Sequence, residues 1–455
     1  MPTRPPKTQT QSSLPTQTPS RRGFLKGGGI ILAGGAIAGA ELGVARAAHA
    51  FGSDAIRIGL VGCGKRGTEA ALDALSTHGG DVKLVAMADV FENNLQSAYR
   101  TIKGKHASQV DLHDRRFVGL DGYKNVMTSD ADVVILATPP GFRPLHFEAA
   151  VQAGKHVFME KPVATDAVGV RRVLATNQMA IEKGLAVAVG LQRRHEVRYR
   201  ECVKRIQEDA IGEIVFARAY WNGAGVWVRP RTDEQTELEY QLRNWYYFNW
   251  LSGDHIVEQH VHNLDVINWL MKSHPIEAQG QGGREVRDGI DHGQIFDHHM
   301  VEYTYGSGTR MLSQCRHMQG CRTSIGEFVH GTQGSADIAN AILHDSRGNV
   351  IWQSDVDPRS ANRGYSQEHA DLFTALRRGE TVNEGEYGAH STMTAIMGRM
   401  ATYSGKVVRW DDAINSGIEL ADTSVMHSLA DAAPVIPDAQ GRYPVPVPGS
   451  KTKIV

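Results

Sequence analysis

Only four cysteines, Cys63, Cys202, Cys315 and Cys321, occur in 455 residues. They are too few and too scattered for a disulfide framework, leaving at most a local Cys315–Cys321 pair as the alternative to free thiols. Charge of one sign is not in excess: 49 Lys and Arg against 50 Asp and Glu give a net charge of −1. That balance removes the electrostatic reason to expect nucleic acid or an anionic membrane surface as a partner. Long apolar runs are missing too. The one candidate, residues 27–40, falls short of the roughly 20 residues a membrane-spanning helix needs. No internal repeat is present. What remains is an ordinary globular composition, 41% hydrophobic and 22% charged, long enough for two or three domains.

Residues 1–50 read as a leader outside the fold. Residues 2–20 are rich in Pro, Thr, Gln and Ser, which cannot bury a core. "SRRGFLK" (20–26) follows, then the glycine-rich apolar stretch, then small-residue cleavage patterns at Ala45-Arg46-Ala47 and Ala48-His49-Ala50. This order resembles a twin-arginine export signal. It implies a protein exported already folded, with its cofactor loaded, to the periplasm or cell surface.

From residue 54 apolar strands alternate with amphipathic helices: "AIRIGLVG" (55–62), "VKLVAMAD" (82–89), "DVVILATPP" (132–140) and "HVFME" (156–160) are the strands. Such alternation predicts right-handed βαβ units around a parallel sheet, an α/β Rossmann-type domain over 51–178. "LAVAVGLQ" (185–192) is read as the start of a different regime. "EIVFARAYWN" (213–222), "HHMVEYTY" (298–305), "TRMLSQCRH" (309–317) and "TSIGEFVHG" (323–331) then follow with few helices between. They predict an α+β domain over 179–430 with an open, mainly antiparallel sheet. Residues 431–455 read as an extended, Pro-rich tail.

"GLVGCGKRG" sets Gly62, Gly64 and Gly67 between the first strand and the first helix. There Gly62 allows the tight turn, Gly64 lets backbone approach a pyrophosphate, and Gly67 lets the helix pack on the strand. The helix N-terminus offers free N–H groups to the phosphates. Asp89, 22 residues beyond Gly67, ends the second strand where a carboxylate binds ribose hydroxyls and repels a 2′-phosphate. NAD is therefore the expected cofactor, with NADP left open by Lys65 and Arg66.

With "LATPP" (136–140), "HFEAAVQAGKHVFMEKPVA" (146–164) and "GDHIVEQHVHNLD" (253–265) added, the chain resembles the glucose–fructose oxidoreductase, inositol dehydrogenase and MocA-type family. The resemblance implies NAD(P)-dependent hydride transfer at a carbinol of a sugar or polyol, in a homo-oligomer; export, to where free NAD is scarce, implies a cofactor held tightly and recycled. It also brings two alternatives: a retaining glycosidase that uses NAD transiently, and a non-catalytic sugar-binding or scaffold protein. Pro140 departs from the frequent Thr-Pro-Asn pattern. Lys161 of "EKP" lies at the carboxyl end of a parallel strand, where it can polarise a substrate oxygen. Glu160 is expected to orient the cofactor or Lys161, and Thr138, Pro139 and His146 to lie along the cofactor. The family pattern of an acid, three residues and a histidine falls on Glu258 and His262, making His262 the general base. Gln259 stands where the glycosidase branch often carries tyrosine.

Residues 254–270 are predicted as one helix, on which His255, Glu258, Gln259 and His262 share a face and His260 does not. That face, with "DHGQIFDHH" (291–299), could also ligate a metal. Hydride transfer through a lysine and a histidine needs none, so no metal is expected. Arg193, Tyr199, Trp245 and His255 complete the expected substrate contacts. Trp221, Trp227, Tyr246 and Trp250 offer either core packing or flat faces for a sugar ring.

Overall fold

The computed structural model describes residues 55–357 and 364–450. The leader, its twin-arginine motif and the last five residues lie outside them. Six strands form the first sheet: β1 (Ile56–Val61), β2 (Val82–Asp89), β3 (Arg116–Val118), β4 (Val133–Leu136), β5 (His156–Met159) and β6 (Val187–Val189). Their order is β3-β2-β1-β4-β5-β6 and every pairing is parallel. Helices cover both faces, so the central strands are apolar throughout; Leu60, Val134, Ile135 and Phe158 are fully buried. The helix Lys65–Leu75 contributes Ala70, Ala71, Ala74 and Leu75, one stripe at helical spacing.

The first domain is larger than the sequence pattern predicts. Residues 187–189, read as the start of a new regime, pair in parallel with β5, so the boundary expected at 178 falls short. The chain also returns to this domain near its end. Leu372 and Phe373, on the helix Gly364–Arg377, pack into one cluster with Ile58, Leu60 and Phe158. Periodicity marks that helix but carries no information about which sheet it covers.

The second sheet has nine strands: β7 (Ile214–Gly223), β8 (Pro275–Gly283), β9 (His298–Tyr305), β10 (Arg310–His317), β11 (Ser324–Gly331), β12 (Gly334–Asp337), β13 (Ile342–Asp345), β14 (Val350–Gln353) and β15 (Val408–Arg409). Its order is β14-β13-β12-β11-β7-β10-β9-β8-β15, antiparallel except where β7 and β10 run parallel. Strict alternation along β9 and β10 buries Val301, Tyr303, Met311, Ser313 and Cys315 toward the helices Val261–Met271 and Gly385–Ser404. The opposite face stays partly exposed. Cys315 is buried, Cys321 is exposed, and both are free, so the local disulfide is not formed. Tail residues 431–450 have no regular secondary structure, yet Tyr443 donates to Glu237 Oε1 at 2.5 Å and stacks beside Tyr240. Among the described residues no helix is long and apolar enough to cross a membrane.

The glycine loop sits between β1 and β4, where the strand order reverses. Gly62 has φ +95°, and a Cβ there would lie 2.6 Å from the Ala137 carbonyl carbon. A Cβ on Gly67 would lie 1.8 Å from the Gly62 carbonyl oxygen, whereas one on Gly64 would meet nothing within 4 Å. The loop is therefore closed on the protein side and open on the other. Gly67→Ala is expected to disrupt the folded loop itself, lowering the melting temperature. Gly64→Val should leave the apo-protein's melting within about 0.5 kcal/mol, as for surface changes, while weakening nucleotide binding at least tenfold. Calorimetric titration with NAD beside thermal melts reads both; a nucleotide affinity unchanged in Gly64→Val would show that the open side is not the binding side.

Candidate active site

Two chain segments make the site. The first is the carboxyl edge of the parallel sheet. Arg143, 1% exposed, donates to the carbonyls of Leu136 and Thr138 at 2.5 and 2.6 Å and so fixes the loop after β4. Thr138 Oγ1 lies 3.1 Å from His146 Nδ1. His146 is buried behind Thr138, beside Tyr123 and Phe142. It supports the loop rather than facing the open side, and burial followed by Arg143 pushes its pKa down to about 3. Pro139 precedes a short turn, Pro140–Phe142, in which Pro140 is buried. Gly141 in that turn packs so tightly that a Cβ would lie 2.2 Å from the Trp250 carbonyl oxygen.

Asp89 accepts from the backbone N–H of Cys63 at 2.7 Å and of Phe91 at 2.8 Å. Both bonds hold its carboxylate beside the glycine loop. Arg66 is taken up by acids, donating to Glu160 Oε1 at 2.5 Å and lying 3.6 Å from Glu368. Its guanidinium also rests 4.6 Å over the Tyr365 ring. Burial lowers the Arg66 pKa, but Glu160 and Glu368 outweigh that and hold it above its ordinary value. Glu160 is thus engaged with Arg66, not with Lys161. Lys65 is exposed, and among the described residues its ammonium reaches only Glu69, at 4.0 Å. An acid beside the ribose position and an occupied arginine fit NAD, and the open side of Gly64 fits its pyrophosphate.

The second segment is 253–271, and here the predicted single helix is broken. Gly253 is left-handed at φ +76° and Asp254 has φ +73°, ψ 163°. A short helix, His255–Glu258, follows, and a second runs Val261–Met271. Between them His260 N–H bonds back to the His255 carbonyl at 3.2 Å, five residues away, and His262 N–H to the Gln259 carbonyl at 3.3 Å. This wide-then-tight pattern, a common device at functional sites, fans out side chains that a regular helix would align.

Glu258 meets Lys161: its Oε1 lies 3.1 Å from Nζ, and its backbone carbonyl accepts from the same ammonium. Both side chains are nearly buried, at 13% and 12% exposed. His262 stacks 6.3 Å from Trp221, and its buried Nδ1 has no partner among the described residues. Burial, then the charges of Lys161, Arg193 and Arg66, push its pKa well down, so the imidazole is neutral at pH 7.

Two expected substrate contacts are committed elsewhere. Arg193 is ion-paired with buried Glu327, and Tyr199 donates to the same carboxylate at 3.1 Å. Asn263 adds a third donor at 2.7 Å. Sequence spacing could not reveal Glu327, which lies on β11. Trp245 is grouped with Trp227 and Tyr246 at ring distances of 6.0 and 5.5 Å, an aromatic wall rather than deep core. His255 is fully buried with neither ring nitrogen hydrogen-bonded among the described residues, its Nδ1 lying 3.7 Å from Asp254 Oδ1. His260 bonds Ser313 Oγ through Nε2 at 2.7 Å.

Asp254, His255 and His299 bring potential ligand atoms within 4.8 Å of one another. The carboxylate already accepts from His255 N–H, Phe296 N–H and Tyr403 O–H. Arg287 is close enough to act electrostatically on Asp254 and His255. The Arg287 charge opposes a second cation there, and we assign no metal.

The fold and this edge-of-sheet site define a dinucleotide-dependent oxidoreductase. Residues 56–191 match the model "Oxidoreductase family, NAD-binding Rossmann fold", and residues 199–337 match "GFO/IDH/MocA C-terminal domain". The chain belongs to this Gfo/Idh/MocA family of NAD-binding oxidoreductases. It is 26% identical to the inositol 2-dehydrogenase of Acidiphilium cryptum over 71% of this chain and 87% of that one. It is 24% identical to the 1,5-anhydro-D-fructose reductase of Ensifer adhaerens over 75% and 94%. In fold it is similar to scyllo-inositol dehydrogenase of Lactobacillus casei with bound NAD(H) and scyllo-inositol, with a TM-score of 0.60. That likeness is at 20% identity and covers 79% of this chain and 100% of the other.

Burial depresses six histidines most strongly, His146, His260 and His317 to about 3, and His255, His262 and His369 well below the ordinary value. The unfolded chain binds protons at these positions below about pH 6.5, and the folded one does not. Stability is therefore complete above that pH and falls as pH drops from it, by up to ~1.4 kcal/mol per pH unit per histidine. His195 runs the other way: burial lowers it, but Asp371 and Glu384 outweigh burial, so its contribution fades as pH rises. Urea melts between pH 8 and pH 5 should show a steep net loss on the acid side; a flat profile would mean these rings are solvated.

Proposed function

We propose that the protein is an exported NAD-dependent dehydrogenase that oxidises a carbinol of a sugar or cyclic polyol, or reduces the corresponding carbonyl. The observation that carries this reading is the meeting of Lys161, held by Glu258, with a neutral buried His262 beside the glycine loop. The inositol and anhydrofructose activities named for the two relatives support the substrate class.

Bound NAD supplies the hydride acceptor. Nε2 of His262, the ring nitrogen not buried, takes the hydroxyl proton. Nζ of Lys161 donates a hydrogen bond to the oxygen as charge develops on it. Glu258 holds that ammonium in place through both its carboxylate and its carbonyl. Trp221, Trp227, Trp245 and Tyr246 offer the apolar faces a sugar ring can stack on.

Residues 20–26 support export to the periplasm or cell surface. NAD is scarce there, which favours a cofactor loaded before export and recycled in place. The partly exposed outer face of the nine-stranded sheet, with Arg218, Tyr220, Gln314 and Arg316, supports a homo-oligomer.

Lys161→Met and His262→Ala should each lower kcat by about 10²–10⁴, the usual weight of one acid–base group, with folding and NAD binding retained. Absorbance at the reduced-nicotinamide band with D-glucose, myo-inositol and scyllo-inositol, beside free-sugar analysis with glycosides, measures this. Unchanged turnover in either variant rejects its role. Sugar release without net nicotinamide reduction would replace the dehydrogenase reading with glycoside cleavage.

A further inference from the structure

A chain of three side chains runs behind the site and ends at Gln259. Arg287, 4% exposed, donates through Nη2 to His317 Nδ1 at 2.9 Å, and its Nη1 is engaged by the Phe296 carbonyl. His317 Nε2 lies 2.8 Å from Gln259 Oε1. His317 is closed in by Tyr246 at 6.0 Å and His255 at 4.4 Å between ring centroids.

The polarity of this chain follows from chemistry. A guanidinium can only donate, so His317 Nδ1 must accept. A neutral imidazole that accepts at one nitrogen carries its proton on the other, so Nε2–H donates. Gln259 must then present its carbonyl oxygen to His317, which turns its –NH2 the other way. Among the described residues that amide nitrogen has no hydrogen-bond partner, and it is not among the buried unpaired atoms. Gln259 is also adjacent in sequence to Glu258, which grips Lys161. Burial, then Arg287, hold the His317 pKa down to about 3, so the ring does not become a double donor in the neutral range.

We propose that Gln259 is a specificity-determining residue locked as a hydrogen-bond donor toward substrate, with Arg287 and His317 as the positioning residues that lock it. It selects ligands that present an oxygen lone pair there, a hydroxyl or ring oxygen of a sugar or polyol, and rejects analogues lacking that oxygen. The inference rests on the substrate reading above. It adds a residue that touches substrate without moving the proton.

Two measurements test it. In the NAD-loaded protein with 15N-histidine, the signal lost in His317→Gln should be that of an Nε2–H tautomer. It should persist in Arg287→Lys, which still donates, and give way to the Nδ1–H form in Arg287→Met. Kinetics with D-glucose and scyllo-inositol should show KM about tenfold higher in Gln259→Leu with kcat little changed, the mark of binding shared by ground and transition states. Among monodeoxy glucoses, one should lose about tenfold in wild type and nothing further in Gln259→Leu. An Nδ1–H tautomer in the unaltered protein, or an unchanged KM in Gln259→Leu, overturns the proposal. Full turnover in Lys161→Met would instead overturn the site reading, whatever tautomer His317 shows.

Discussion

A single buried carboxylate, Asp254, sets the direction of everything the second domain brings to the site. It accepts from the N–H groups of His255 and Phe296 and from Tyr403 O–H, and it lies 3.2 Å from His299 Nε2. Burial alone would raise its pKa. His299, Tyr403 and Arg287 outweigh that and keep it below its ordinary value. These interactions hold a backbone conformation, φ +73° and ψ 163°, that non-glycine residues rarely adopt and that costs on the order of 1–3 kcal/mol. Strain of this kind persists only where its surroundings over-determine it. Here the return is orientation: the chain leaves the corner as a helix of four residues, breaks at Gln259, and starts again at Val261.

That break explains how neighbouring residues serve different ends. Glu258 turns toward the parallel sheet and holds Lys161. Gln259 turns toward β10 and His317. His260 turns into the sheet core at Ser313, and His262 emerges beside Trp221. A regular helix would stack His255, Glu258, Gln259 and His262 on one face and leave the sheet and the lysine to be reached from the same side. The fanned arrangement separates the Lys161 clamp, the Gln259 amide and the neutral His262 ring within five residues. The same separation leaves the ring nitrogens of His255 without a hydrogen-bond partner among the described residues. Its burial among His299 and His317 is compatible with a neutral ring packed for shape.

The sequence makes much of this legible, and its failures are physical. The Gly62–Gly64–Gly67 turn, the parallel sheet and the position of Lys161 follow from local patterns, because loop, strand and helix are consecutive in the chain. The fate of Arg193 does not, because Glu327 lies 134 residues away on β11 and only the folded sheet brings the pair together. Arg66 is similar: in sequence it is a cation beside a phosphate loop, in the fold it belongs to Glu160 and Glu368. The misplaced boundary at 178 has another origin. β6 is three residues long and its neighbour in sequence is a turn, so its apolar run looks the same whether it closes one sheet or opens the next.

The two sheets also divide the labour in energetic terms. The parallel sheet offers fixed backbone groups at its edge, with the Asp89 carboxylate held beside them by the N–H groups of Cys63 and Phe91. The second sheet has no such edge facing the site; it contributes through side chains that alternate along β7, β10 and β11, with Trp221, His317 and Glu327 pointing inward. Two buried cations on that side are paired with carboxylates, Arg193 with Glu327 and Arg194 with Asp265. Arg287 is not, for its guanidinium meets a carbonyl and an imidazole rather than a carboxylate. A cation kept in a buried wall without a direct ionic partner costs stability. What it supplies in exchange is a donor that cannot reverse, and through His317 that fixed sense reaches the one residue of the site segment whose amide is otherwise free to flip.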